Sequence, residues 1–194
     1  MLDKHQELKK ATATIHAETE KLVGAKDLFT NLNLGKYKHF LLSHYLLHKN
    51  VSVLYGEIVG LGEEHKILDW PNSNKLSALE NDLKKLDVDL PNVESIFREI
   101  DYPFWLGLCY VVEGSALGNM HIFKAFSRFK CFNDWNANAF LKRSPEDIMT
   151  RWNAFKALLN KDMQLAYKDV EKGAFTGFDL YAKLWTKASS ILKD

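Results

Sequence analysis

Leu8-Lys-Lys-Ala-Thr12-Ala-Thr-Ile-His16-Ala-Glu-Thr-Glu20 decides how the chain reads. Leu8, Thr12, Ile15, Thr19 and Leu22 recur at helical spacing and mark the buried stripe of a helix. His16 sits on the edge of that stripe. Lys9, two turns before it, and Glu20, one turn after it, look the same way. A carboxylate placed there can hold one ring nitrogen and leave the other to a partner, the arrangement that fixes the tautomer of a metal-ligating histidine. The same pair also serves as an ordinary structural hydrogen bond, and these residues alone leave both readings open.

Working outward, nearly every long segment repeats with a helical period, and with 10 glycines and 4 prolines in 194 residues few breaks interrupt it. The chain therefore reads as all-α, one helical domain over 1–194. Asp3 caps a first helix reaching about residue 23, Gly24 breaks it, and 26–33 is a connector. A second helix over 35–58 carries Tyr37, Phe40, Leu41, His44, Tyr45, His48, Val51 and Tyr55, and Gly60-Leu-Gly62 ends it. His44 and His48 stand four apart, with no third ligand in view, and read as polar positions on the helix. A loop with Pro71 follows over 65–73. An exposed amphipathic helix over 74–86 then carries Leu76, Leu79, Leu83 and Leu86, and a short helix runs over 92–100.

Pro103 stands in the first turn of a long helix over 104–129 that breaks a local rule. Gly107, Gly114 and Gly118 lie in its interior, where each costs about 1 kcal/mol relative to alanine. Spaced by seven and four, they share a face. Either another helix backbone approaches there, or the bare backbone must come close to a flat ligand. Periodicity does not separate the two. Beyond a loop over 130–138, Ser144-Pro145-Glu146-Asp147 supplies a cap, a first-turn proline and first-turn acids. Ile148, Trp152, Phe155, Leu158 and Leu159 form the stripe of the helix that follows. A last helix spans 163–192, interrupted at Gly173 and Gly177.

Two of these stretches resemble heme oxygenases. Leu8, Lys9, Thr12, His16 and Glu20 fall in register on that family's proximal-helix pattern. Tyr110-Val-Val-Glu-Gly114-Ser-Ala-Leu-Gly118 resembles the distal-helix motif of the bacterial members, especially those associated with bacteriophytochromes. The resemblance implies a heme-oxygenase-like helical bundle with heme between the two helices. His16 would be the axial iron ligand, with Glu20 as its hydrogen-bond partner and Lys9 near a propionate. Gly114 and Gly118 would lay backbone over the heme, and Ser115 with ordered water would bring protons to bound oxygen. The run Gly173-Ala-Phe175-Thr-Gly177-Phe178 is similar to the family's C-terminal helix, where an aromatic, here Phe175, walls the pocket. Arg151 and Lys156 fall where the family places cations for the propionates.

Two departures from the pattern bear on the distal side. Ser115 stands where animal-type members have aspartate, as is common among bacterial ones. Asn119 stands where many members have glycine or alanine, which alters the shape of the distal pocket. The implied reaction is oxygen-dependent opening of heme to biliverdin, carbon monoxide and ferrous iron, with heme as both cofactor and substrate. Electrons would come from an external ferredoxin or reductase, because no flavin or nicotinamide motif is present, and a photoreceptor is a candidate acceptor of the bilin. A heme or bilin carrier on the same fold is the alternative. A thiaminase-like enzyme would need an activated cysteine, and Cys109 has no evident base beside it.

What the sequence excludes is consistent with this. Lysine plus arginine number 26 against 25 acidic residues, so no global field selects nucleic acid or a membrane surface. No stretch approaches the roughly 18 apolar residues of a membrane span, and the N-terminus lacks the apolar segment of a signal peptide. Cys109 and Cys131 lie in apolar surroundings and form no disulfide framework, which places the chain in a reducing cytoplasm. Phosphate-binding glycine loops, His-Glu-x-x-His and paired Glu-x-x-His motifs are all missing.

Overall fold

The computed structural model describes residues 3–55, 58, 74–93, 100–161 and 166–193. Within them the chain forms nine helices and no strand: α1 Lys4–Ala11, α2 Ala13–Leu22, α3 Ala25–Thr30, α4 Leu34–Tyr55, α5 Lys75–Lys85, α6 Tyr102–Phe126, α7 Lys130–Trp135, α8 Pro145–Lys161 and α9 Tyr167–Ile191. The expected stop at Gly60-Leu-Gly62, the loop around Pro71, most of the expected helix over 92–100 and the first turn of the expected helix from 163 lie outside the described residues.

The centre of the bundle is the pair α6 and α9, with α4 lying against α9. The Asp101 carboxylate accepts from the Phe104 amide at 2.9 Å, and a proline in the first turn sets the direction in which α6 starts. Where α6 crosses α9, Gly107 meets Gly173 backbone to backbone. A Cβ on Gly107 would collide with the Val170 carbonyl oxygen and stand 2.5 Å from the Ala174 nitrogen. A Cβ on Gly173 would collide in turn with the carbonyl oxygen of Phe104. Glycine at both positions is a condition of the crossing, and this decides the small-residue question for Gly107.

Around this axis α5 packs on α4, α8 on α6, α2 on α9 and α1 on α8. An aromatic nest closes one end. Tyr37 of α4 stacks on Trp135 at 5.4 Å and takes the edges of Phe126 and Phe132 at 6.0 and 5.3 Å. Its hydroxyl donates to the Ala137 carbonyl. The segment after α7 is held by the buried Asp82 carboxylate, which accepts from the amides of Ala139 and Phe140 at 3.0 and 2.8 Å. Backbone amides in an irregular segment need such partners when buried.

Several expectations shift. The first helix is interrupted at Thr12, whose hydroxyl donates back to the Leu8 carbonyl at 2.8 Å, a bond that competes with the helix ladder. Helical turns α3 and α7 occupy segments expected to be connector and loop. Leu22, expected on the buried stripe, ends α2 at 52% exposure because the helix stops before a neighbour covers it. Helix α5 buries Leu79 and Leu83 as its stripe requires, but Lys75 and Asp82 are buried too, so it is not a simple exposed amphipathic helix. Cys109 is buried and Cys131 half-buried, and neither is in a disulfide. Among the described residues no helix is long and apolar enough to cross a membrane.

Candidate active site

His16 lies mid-way along α2, and its ring packs edge-on against Phe178 of α9 with centroids 5.4 Å apart. Its side chain is 56% exposed. Glu20 Oε1 stands 3.6 Å from His16 Nδ1, close enough for attraction though longer than a good hydrogen bond. The carboxylate is thus on the Nδ1 side, and Nε2 is the nitrogen left for a partner. Helices α2 and α6 both dock on α9 and do not pack extensively on each other.

The glycines of α6 divide by environment. Gly107 is jammed against α9, as described. Among the described residues, an added Cβ at Gly114 would find only the ring of Trp152, at 3.9 Å, and at Gly118 it would find nothing within 4 Å. Gly118 therefore carries a propensity cost with no packing reason, so the backbone there is left bare for something else. Ser115, half-buried between them, donates its hydroxyl to the Val112 carbonyl at 2.8 Å, which leaves its oxygen as an acceptor. Asn119 is buried, and its amide oxygen has no partner among the described residues.

The remaining sequence candidates fall in different places. Phe175 is half-buried on α9, but the aromatic against His16 is Phe178, one turn further along. Lys9 is exposed on α1, on the far side of the Thr12 interruption from His16. Arg151 is not a surface cation. Its guanidinium donates to Glu113 Oε1 at 2.7 Å, and Glu113 Oε2 accepts from Lys75 Nζ at 2.9 Å. Burial alone would raise the Glu113 carboxyl, but Lys75 and Arg151 outweigh it and hold the group below its ordinary value. Burial pushes the Lys75 ammonium down to about 8 against the pull of Glu113. Sequence reading missed this triad. A glutamate inside an apolar run, Val111-Val-Glu113, is the one signal that pointed to a buried charge.

The two α4 histidines are also buried. Tyr181 OH and His44 Nε2 are 3.1 Å apart, while His44 Nδ1 has no partner among the described residues. Those residues contain no group of three or more His, Cys, Asp or Glu side chains able to hold a metal. Burial lowers the His44 pKa from 6.5 to about 3, and His48 is held well below its ordinary value by burial first and Lys75 next. The folded protein thus keeps both rings neutral, whereas the unfolded chain takes up protons below 6.5. Stability present above that pH is lost as the pH falls from there toward 3. Each pH unit inside that window costs about 1.4 kcal/mol for His44, and His48 acts in the same direction. We expect the urea midpoint to fall steadily between pH 7 and 5, and His44→Gln to flatten that slope. An equal slope in the variant would remove His44 from the account.

Among the described residues the helical protein thus presents an exposed histidine with a carboxylate behind it on α2, and two lightly covered glycines on α6. Comparison with known proteins gives its class. A family model described as heme oxygenase matches residues 3–187, nearly the full chain. The chain belongs to the heme oxygenase family. Its fold is similar to the NO- and CO-bound heme oxygenase of Neisseria meningitidis, with a TM-score of 0.76 over 98% of this chain and 94% of that chain at 22% identity. No curated protein matches it in sequence. The protein is accordingly a heme-cleaving oxidoreductase that consumes oxygen and reducing equivalents, and heme is both its prosthetic group and its substrate.

Proposed function

We propose that His16 ligates the heme iron through Nε2, that Glu20 orients the ring from the Nδ1 side, and that Gly114–Gly118 of α6 covers the opposite face. The observation that carries this reading is Gly118, a helix-interior glycine whose missing side chain would meet nothing within 4 Å among the described residues. The donor set fits heme: an imidazole on α2, exposed and with a carboxylate behind it, and on α6 two glycines whose missing side chains would meet only Trp152 or nothing among the described residues. When bound, heme supplies both the iron that activates oxygen and the ring that is opened.

The chain's own groups do the rest. Ser115, its proton committed to Val112, accepts a hydrogen bond from water and so positions a proton donor beside the bare backbone. Phe178 braces the His16 ring, and Phe175 lies one turn earlier on the same helix as a wall residue. Lys9 attracts a propionate from the rim. Arg151 acts on the pocket through Glu113 and not as an exposed cation. Biliverdin is the product, a ferredoxin or a reductase the electron source and a photoreceptor apoprotein the bilin acceptor, in line with the bacteriophytochrome-like form of the Tyr110–Gly118 motif. Two cysteines outside any disulfide suit a reducing cytoplasm, and residues 1–194 act as one domain.

The test is an absorbance titration of the purified protein with hemin, followed by ascorbate or ferredoxin in air. A one-to-one Soret complex that decays into a bilin band is the expected result. A Soret band that persists under reductant would instead describe a carrier. No Soret shift would overturn the site.

A further inference from the structure

We infer that the buried triad Lys75–Glu113–Arg151 is a positioning device that clamps α6 immediately before Gly114 and so sets where the bare backbone lies over the substrate. This rests on the placement of heme proposed above.

Glu113 is the residue before Gly114, is 2% exposed, and is gripped from two helices at once, by α5 through Lys75 and by α8 through Arg151. From Gly114 to Gly118 the helix has less to hold it: one ring at 3.9 Å from the first glycine position, nothing within 4 Å of the second among the described residues, half-buried side chains at Ser115 and Leu117, and only the small Ala116 buried. Beyond the buried Asn119, the next buried large apolar side chain is Phe126, packed against Tyr37, Phe40 and Phe132. Between Glu113 and Phe126 the glycine stretch is therefore held by small buried side chains alone, and its N-terminal fixing is ionic. Apolar packing resists separation but tolerates sliding. Two charge-assisted bonds from different helices to the two oxygens of one carboxylate fix rotation and translation together. Such a clamp suits a site in which the backbone itself is the working surface.

Glu113 touches neither heme nor oxygen in this account, so the variant must alter position and not binding. Glu113→Gln keeps the shape and removes the charge that both cations share. In the protein without heme, we expect amide hydrogen exchange over 112–122 to accelerate about tenfold, with the remaining helices unchanged. Hemin affinity and the Soret maximum should stay near wild type because His16 is untouched, while the bilin isomers spread from one dominant product to a mixture. Arg151→Lys, which keeps the charge and loses the planar fork, should give an intermediate exchange rate and isomer ratio, and it carries the test if Glu113→Gln does not fold. Unchanged exchange over 112–122, or faster exchange with an unchanged isomer ratio, would overturn the clamp. A wild-type protein that leaves heme intact would overturn the heme reading, and the exchange data would still decide whether the triad fixes this span.

Discussion

Gly107→Ala is expected to lower stability by about 3 kcal/mol or more, one of the largest effects of any single methyl group in this chain. The added carbon would overlap the Val170 carbonyl oxygen and press on the Ala174 nitrogen and the Gly173 carbonyl carbon, at 2.5 and 2.8 Å. All three are backbone atoms of α9, so no rotamer change relieves the clash and the helices must separate. Separation would open the most extensive helix pair in the fold. In a chain of this size the thermal midpoint should fall by about 10 °C. Gly118→Ala is the control. With open space at that position it should gain up to about 1 kcal/mol from helix propensity while slowing heme turnover. A stability loss at Gly118 equal to that at Gly107 would mean that the two glycines serve the same purpose.

His16→Ala should reduce heme turnover on the order of 100-fold or more and change the Soret spectrum, because it removes the proposed axial nitrogen. The fold should not notice. The side chain is 56% exposed and its one ring contact among the described residues is with Phe178, so the expected stability change is within about 0.5 kcal/mol. Added imidazole should restore part of the spectrum by occupying the vacated position. Glu20→Ala should cost roughly tenfold, since it leaves the ligand in place and removes only what orients it. A His16→Ala protein with an unaltered heme spectrum would show that another residue holds the iron.

Much of the fold was legible because helical period, caps and breaks are local signals. Asp3, Asp101 and the Ser144-Pro145 start all mark helix beginnings in the structure. The interruption at Thr12 was not legible, because it depends on which way one hydroxyl turns. The glycines of α6 were legible as a group but not as individuals. Gly107 needs its partner Gly173, 66 residues away by the numbering, to reveal that it is a crossing point, while Gly118 is identified by what is missing around it. Charges were hardest to place. Lys75 opens a helix and reads as a solvated surface residue, and Arg151 reads as a rim cation. Only the folded chain brings both to Glu113.

The light anchoring of the histidine-bearing segment has a consequence for affinity. Among α1, α2 and the residue joining them, only Leu8, Thr12 and Thr19 are buried, so little apolar area holds this arm to the bundle. A segment held so lightly lifts away at small free-energy cost compared with global unfolding. With His16 as the proposed ligand, heme would bind only the seated population, and its apparent dissociation constant would be the intrinsic one divided by the seated fraction. Substitutions far from the iron that deepen the seating of α1 and α2 would therefore tighten substrate capture without touching a single ligand atom.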